Sequence, residues 1–370
     1  MTRATESGTS TFAMDAVRGG ANASHFRKAS GLTLSSLGMG TYLGEPDDET
    51  DSAYLSAIVE AAKLGCNVFD AAANYRCQRS ERALGAALKD LAAHGVTRER
   101  VVLSTKGGYI PFDGSPPEDV RQYLHDRFVD PGIFAPADIA SGSHVLTPAF
   151  IRDQLERSIE NLDVDTVDIY YLHNPEAQLA AFDRETLAEK MRGAFTVLEQ
   201  AVADAKIGFY GVATWDGLRS EPDGGQYLSL AELVKRAHEV AGEDHHLRFV
   251  QLPHNLGMTE AFTVQNQTVD GVQHSLLQAA EQVGVHVVAS ASLAQGGLTT
   301  GLPDWLQTIF KGLSTDAQRS LQFVRSTPGI TTALVGMRSL VHVRENLGIA
   351  AVAPAEVREF LSLFEVDSTE

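Results

Sequence analysis

Asn67 to Gly85 reads NVFDAAANYRCQRSERALG. An apolar, β-rich run halts on a carboxylate, Asp70, and a tyrosine, Tyr75, follows one short turn later, just before a helix-like stretch begins. Joining a strand to a helix requires neither group. If both face a pocket, their partners stand at the ends of other strands, and the fold must bring those ends together.

Outward from this stretch the same unit repeats. Apolar β-rich runs recur as LSSLGMGTYL, NVFDAA, VVLSTKGG, VDIYYLHN, GFYGVATW, FVQLPHN, VHVVASAS and TTALVGM. Between them lie segments such as SAYLSAIVEAAKLG, SERALGAALKDLAAHG, TPAFIRDQLERSIENL and AFTVLEQAVADAK, with apolar residues at helical spacing. The first two end on a glycine suited to close a helix. Strands apolar on both faces that alternate with helices imply a parallel sheet covered by helices, and eight such units close a barrel. The expected fold is α/β, a (β/α)8 TIM barrel. An open dinucleotide-binding sheet would carry a glycine-rich turn after its first strand. Here that strand leads into GMGTYLGEPDDET, which lacks the third glycine and the short loop into a helix.

Two segments break the rhythm. A long insertion after the third strand, 107–147, carries Tyr109, Phe112, Tyr123, Phe128 and Phe134, and a second after the seventh strand carries Trp305 and Phe310. Both follow strands and so belong to the C-terminal face, where barrel enzymes work. Residues 1–25 are rich in Ser, Thr, Ala and Gly, lack the apolar block of a secretion signal, and read as a flexible tail. Residues 26–370 read as a single barrel domain.

Composition narrows the partners. A chain of 370 residues, 44% hydrophobic and 21% charged, affords a large core. A formal charge of −18 argues against nucleic acid, whose binding rests on neutralising phosphates. No apolar run approaches the ~20 residues of a membrane span. The two cysteines, Cys66 and Cys77, read as free thiols in a reducing compartment, so a cytoplasmic location is expected. Oligomeric state leaves no mark.

The partners of Asp70 and Tyr75 follow from the strand ends. The third run closes on Lys106 and the fourth on His173, neighbours of Asp70 around one rim. A free phenol has a pKa of ~10, and an adjacent ammonium favours phenolate. Lys106 would supply that field, Asp70 would hold the lysine charged, and His173 could orient a substrate oxygen. The four together make a general acid facing a carbonyl. With one histidine and no thiolate, the set implies no metal. Singly, each has a dull explanation: Asp70 could cap a helix, Tyr75 could pack at a loop, Lys106 could be solvated, and His173 could be a core histidine. Accident accounts poorly for all four at three adjacent strand ends.

At this point the chain resembles the aldo-keto reductases. FRKASGLTLSSLGMGTYLG is similar to that family's opening hairpin and first strand, NVFDAAANY to its Asp-and-Tyr motif, STKGG to its lysine strand and YYLHNPE to its histidine strand. The resemblance runs through VRENLGIA and implies an eight-stranded barrel using NADP(H) to pass hydride to or from an aldehyde or ketone; the long insertion is compatible with a sugar or glycosylated compound. It implies a catalytic set of Asp70, Tyr75, Lys106 and His173. It also implies a cofactor site built from Gly40, Thr41, Tyr42, Asp70, Thr214, Gln251, Ser290, Leu293, Gln295, Gly336, Met337, Arg338, His342, Glu345 and Asn346. Within it, Arg338 suits a 2′-phosphate, Glu345 and Asn346 match the pair that reads adenine, and Gln251 with Asn255 match the sixth-strand pair. LAQGGL from Leu293 resembles a loop that wraps pyrophosphate with backbone N–H groups.

Four positions depart from the family. GVATW places Ala213 and Thr214 where Ser-Asn is usual, Ser290 stands where many members stack a tyrosine on the nicotinamide, and His342 stands where many have arginine. Trp215 is the expected substitute cover. A non-catalytic nicotinamide-binding subunit and a Lys106 Schiff-base aldolase are the alternatives. In the long insertion, Arg121, His125 and Asp126 read as polar handles at a roomy mouth, although its aromatics could equally pack as a small core of their own.

Overall fold

The computed structural model describes residues 2–364. Eight parallel strands close on themselves: β1 Leu37–Gly40, β2 Val68–Asp70, β3 Val102–Gly107, β4 Val167–His173, β5 Ile207–Ala213, β6 Leu247–Pro253, β7 His286–Ser290 and β8 Ile330–Gly336. Neighbouring registers set Asp70 beside Ser104, Lys106 beside Tyr171, and His173 beside Ala213; β8 returns to β1 with Leu334 beside Gly38. This is the expected α/β barrel.

Alternation along the strands explains why one end is apolar and the other chemical. Side chains two apart share a face. Val102, Ile169, Tyr171, Phe249 and Val288 join one buried cluster at the inner base of the barrel. Two or four residues further along the same faces stand Ser104, Lys106, His173, Gln251 and Ser290. The polar set therefore gathers at the C-terminal rim.

The helices of seven residues or more are α1 Glu6–Arg18, α2 Asp48–Lys63, α3 Arg79–Ala93, α4 Pro148–Leu162, α5 Arg184–Ala203, α6 Leu230–Ala241, α7 Leu276–Gln282, α8 Asp316–Ser326 and α9 Leu340–Leu347. Side chains of Asp47, Thr147, Asp183, Ser229, Ser275 and Thr315 accept N–H bonds at six of their N-termini. After α2 and α3 the chain turns at Gly65 (φ 94°) and Gly95 (φ 81°), a left-handed backbone that glycine adopts without strain. No helix among the described residues is long and apolar enough to cross a membrane.

The opening residues differ from the flexible tail expected of them. Thr5 caps α1 by accepting from Gly8 N–H at 3.0 Å, and Thr9, Phe12 and Ala13 are buried. Ala4 N–H donates to Asp168 at 2.7 Å, and Thr33 N–H donates to Thr9 Oγ1 at 3.0 Å. α1 thus packs over the hairpin Phe26–Ala29 and Leu32–Ser35 at the base of the barrel. A Ser/Thr-rich composition conceals this helix because few apolar residues suffice when the hairpin supplies the other half of the contact.

The long insertion packs on itself. Phe128 stacks on Phe134 at 5.2 Å, and both meet Phe150 of α4 edge-on. Arg121, His125 and Asp126 point outward as exposed groups and leave the cavity wall to others, so they are not handles at its mouth. In the second insertion Phe310 is buried and Trp305 half exposed.

Candidate active site

Lys106 is the hub of the rim. Its ammonium donates to Asp70 Oδ2 in a short contact, to Ala71 O at 2.9 Å, and to Tyr75 Oη at 3.4 Å. Asp70 is fixed in turn, with Oδ1 accepting from Ser104 Oγ at 2.7 Å and from Gln251 Nε2 at 3.0 Å. The Tyr75 ring lies edge-on to His173, with centroids 5.8 Å apart. The four residues expected at the strand ends therefore meet at one place.

Their proton affinities follow from burial against charge. Burial would lower Lys106, but Asp70 and Tyr75 outweigh it and leave the ammonium raised above its ordinary value. Burial pushes the Tyr75 phenol up, Lys106 pulls it down, and Asp70 pushes it up again. The net direction is upward, opposite to what the ammonium alone predicts, because enclosing a phenolate costs more than the shared ammonium returns. Burial, the Lys106 charge and His144 hold His173 well below its ordinary value, so its imidazole is neutral. A neutral imidazole donates one N–H.

A cavity of about 780 Å³ opens over this group. Of the residues expected to hold a cofactor, Gly40, Tyr42, Asp70, Thr214, Gln251, Ser290, Leu293, Gln295, Gly336, His342, Glu345 and Asn346 line it. Three do not. Thr41 is buried, with its hydroxyl donated to Asp70 O at 2.9 Å. Met337 is buried in the core. Arg338 lies outside the wall, its Nη1 3.3 Å from Thr50 Oγ1 near the start of α2. Arg344 turns away to Glu60 at 2.6 Å. Asn255 is structural: it donates to Ala291 O at 2.9 Å and accepts Gly257 N–H at 2.8 Å.

Several lining atoms lack partners. Thr214 Oγ1, Ser292 Oγ, Asn346 Oδ1 and His173 Nδ1 are buried and make no hydrogen bond. Leaving such atoms bare is costly. Their spread along the cavity, from His173 to α9, fits an elongated polar ligand such as a dinucleotide. The chain at Ala291, Ala294, Gln295 and Gly296 runs at positive φ, a loop whose main chain differs from any regular element.

Sequence reasoning passed over part of the wall. Tyr109, from the insertion, stands edge-on to His173 at 5.1 Å, and Asn174 directly follows that histidine at φ 46°. Position was the available signal, since both adjoin a strand end. Trp215, expected as a cover, does line the cavity and is 41% exposed. Its turn is anchored from behind by Glu176, whose buried Oε1 accepts N–H bonds from Trp215 at 2.7 Å, Asp216 at 3.2 Å and Gly217 at 3.3 Å.

Comparison with known proteins agrees with this architecture. The model of the Aldo/keto reductase family matches residues 36–221. The NADH-specific methylglyoxal reductase of Escherichia coli (strain K12) is 30% identical over 147 residues, 38% of this chain and 39% of that protein's length. The oxidoreductase YqkF of Bacillus subtilis (strain 168) is 22% identical over 329 residues, 87% of this chain and 89% of that protein. An aldo/keto reductase from Klebsiella pneumoniae, solved with NADP and acetate, superposes with a TM-score of 0.58 at 21% identity, covering 90% of this chain and 92% of that one; the likeness is one of fold.

Proposed function

The chain belongs to the aldo/keto reductase family, and from that premise we propose that it uses NADP(H) to interconvert a carbonyl compound and its alcohol, with Tyr75 as the proton-transferring group. The observation that carries this reading is the Lys106 ammonium held between Asp70 and the Tyr75 oxygen, at the wall of a cavity of about 780 Å³ that runs on to Glu345 and Asn346. A reduced nicotinamide bound there would supply the hydride for the new C–H bond.

The chain's own residues do the rest. His173, neutral, donates an N–H to the carbonyl oxygen and holds it beside Tyr75. As the carbon is reduced, the π electron pair moves onto that oxygen, which takes the Tyr75 proton. Burial keeps the phenol protonated beforehand, and the Lys106 charge lowers the cost of the phenolate left behind. Solvent restores the proton. Thr214 and Gln251 would serve the carboxamide, Trp215 would cover the ring where Ser290 cannot, Leu293 and Gln295 would hold the pyrophosphate, and His342, Glu345 and Asn346 would serve the adenosine end. Arg338, exposed beside the wall, would reach a 2′-phosphate from outside it.

The test is a fluorescence titration with NADPH and NADH, followed by dinucleotide oxidation on a panel of aldehydes and ketones with wild type and Tyr75→Phe. Tight binding with turnover that depends on Tyr75 supports the reading. Binding without turnover favours a nicotinamide-binding subunit, and an adduct trapped by borohydride at Lys106 favours an aldolase.

A further inference from the structure

Directly after Tyr75 the chain runs at positive φ through Arg76 (47°), Cys77 (56°) and Gln78 (68°). None of these is glycine, nor the asparagine or aspartate that tolerates this region, so the left-handed backbone is strained at each. Folding gains little from it. Gln78 stands at the N-cap of α3, yet its side chain makes no cap hydrogen bond. Backbone strain of this kind persists only where the surroundings impose it.

Neighbouring elements impose it here. Arg76, whose side chain is 2% exposed, donates from Nη1 to Asp51 Oδ1 of α2 in a short contact, and its guanidinium lies over the Tyr54 ring at 4.7 Å. From the long insertion, Gly114 N–H donates to Cys77 O at 2.9 Å and Phe112 O accepts from Gln78 Nε2 at 2.9 Å. Gln78 Oε1 accepts from Asn161 of α4 at 3.0 Å. The hold on Arg76 is the costly one. Its Nε and Nη2 are buried and have no hydrogen-bond partner among the described residues, a penalty that a solvated arginine does not carry. Nor is that hold needed to join α2 to α3. Arg79 already does so, donating from Nε to Asp51 Oδ2 at 2.8 Å and pairing with Asp48.

What the turn holds is Tyr75. Upstream, Ala71 N–H donates to Ser104 O at 2.9 Å and Ala73 N–H to Lys106 O at 3.1 Å, which keeps 71–73 in register with β3. Only Asn74 and Tyr75 lie between that register and the turn. The phenol oxygen stands 3.4 Å from Lys106 Nζ, near the limit of a hydrogen bond, so a small shift would end the contact. We propose that Arg76 is a positioning residue for proton transfer: paired with Asp51, it holds the 76–78 turn left-handed and so keeps the Tyr75 oxygen within reach of Lys106. Arg76 does not line the cavity, and its effect passes through the backbone. This inference rests on the reductase reading of the same site.

The experiment measures kcat per folded molecule and NADPH affinity by fluorescence for wild type, Arg76→Met and Arg76→Gly, on a carbonyl that the wild type reduces in a Tyr75-dependent way. Methionine keeps the buried stem, deletes the pair with Asp51 and still disfavours positive φ. For Arg76→Met, kcat is expected to fall by roughly tenfold or more and NADPH affinity to stay within about threefold, the mark of a group misplaced for the chemical step rather than for binding. Glycine deletes more of the side chain yet adopts the left-handed backbone without strain, so Arg76→Gly is expected to keep several-fold more of kcat than Arg76→Met. A merely structural role predicts the opposite order, because glycine leaves the larger void. Asp51→Asn weakens the same pair from α2 without opening a void; it is expected to lower kcat too, and carries the test where Arg76→Met does not fold. Wild-type kcat in Arg76→Met or Asp51→Asn, or a loss in Arg76→Gly as large as in Arg76→Met, overturns the inference and leaves the reductase reading standing. No Tyr75-dependent turnover of any carbonyl by the wild type overturns both.

Discussion

Asp168 and Asp70 are buried carboxylates at opposite ends of the barrel, and each faces a cation. At the base, Asp168 accepts from Ala4 N–H and Leu103 N–H, both at 2.7 Å, and from Arg98 Nη2 at 2.8 Å; Arg98 also donates to Val101 O and Thr166 O. That network ties the opening residues of the chain, β3 and β4 together. At the rim, Asp70 has as many partners, but its cation passes the interaction on to a phenol that borders a cavity. A carboxylate–cation pair is a lock at one end and, in the proposed reductase, a proton-tuning device at the other. What separates them is the next atom along.

Perturbing each end tests that contrast. The largest effect is expected at the rim. Tyr75→Phe removes the proposed proton donor and should cut turnover by about 10²–10⁴-fold, while thermal unfolding stays near the wild-type midpoint. At the base, Asp168→Ala leaves Arg98 buried beside two unpaired amides and should cost about 3–5 kcal/mol in denaturant unfolding, with turnover per folded molecule unchanged. The opposite pattern, stability lost at 75 and turnover lost at 168, would invert the assignment of the two ends.

Acid should act on the framework around both. Burial holds His25 down at about 3, and His144 and His254 at about 4, so the fold keeps these imidazoles neutral. The unfolded chain takes up protons at them near 6.5. Each folded pKa is depressed, so its stabilisation is complete above 6.5 and is lost as pH falls towards 4. For His144 or His254 alone the loss approaches about 3 kcal/mol. Urea midpoints at pH 7 and pH 4.5 check it, and a flat profile would exclude buried neutral histidines. The smallest effect belongs to α1: Thr5→Ala should cost about 1 kcal/mol through its lost cap, with turnover untouched. A loss too small to measure would mean that α1 only rests on the base.

Much of this was legible along the chain. The barrel shows in the alternation of β-rich and helical runs. Asp70, Lys106 and His173 stand out because each ends an apolar run where no carboxylate, ammonium or imidazole is needed for folding. α1 was hidden, since its burial depends on a hairpin that follows it and on Asp168 far along the chain. Arg338 reads from the sequence as a 2′-phosphate contact, while its place outside the cavity wall, with Nη1 3.3 Å from Thr50 Oγ1, shows only in the fold. The contact between Asn174 and Tyr109 was hidden too, because the two meet only when β3 and β4 lie side by side.

Residue order sufficed for the number of strands, the face on which each polar group lies, and the four groups at the rim, because periodicity and strand ends are local properties of a chain. The net direction of the Tyr75 proton affinity and the anchoring of Trp215 by Glu176 came from the folded molecule. Those depend on how much protein surrounds an atom and on which distant groups reach it first. Burial and competition for partners are sums over residues remote in sequence, and they take a value only once the chain has closed.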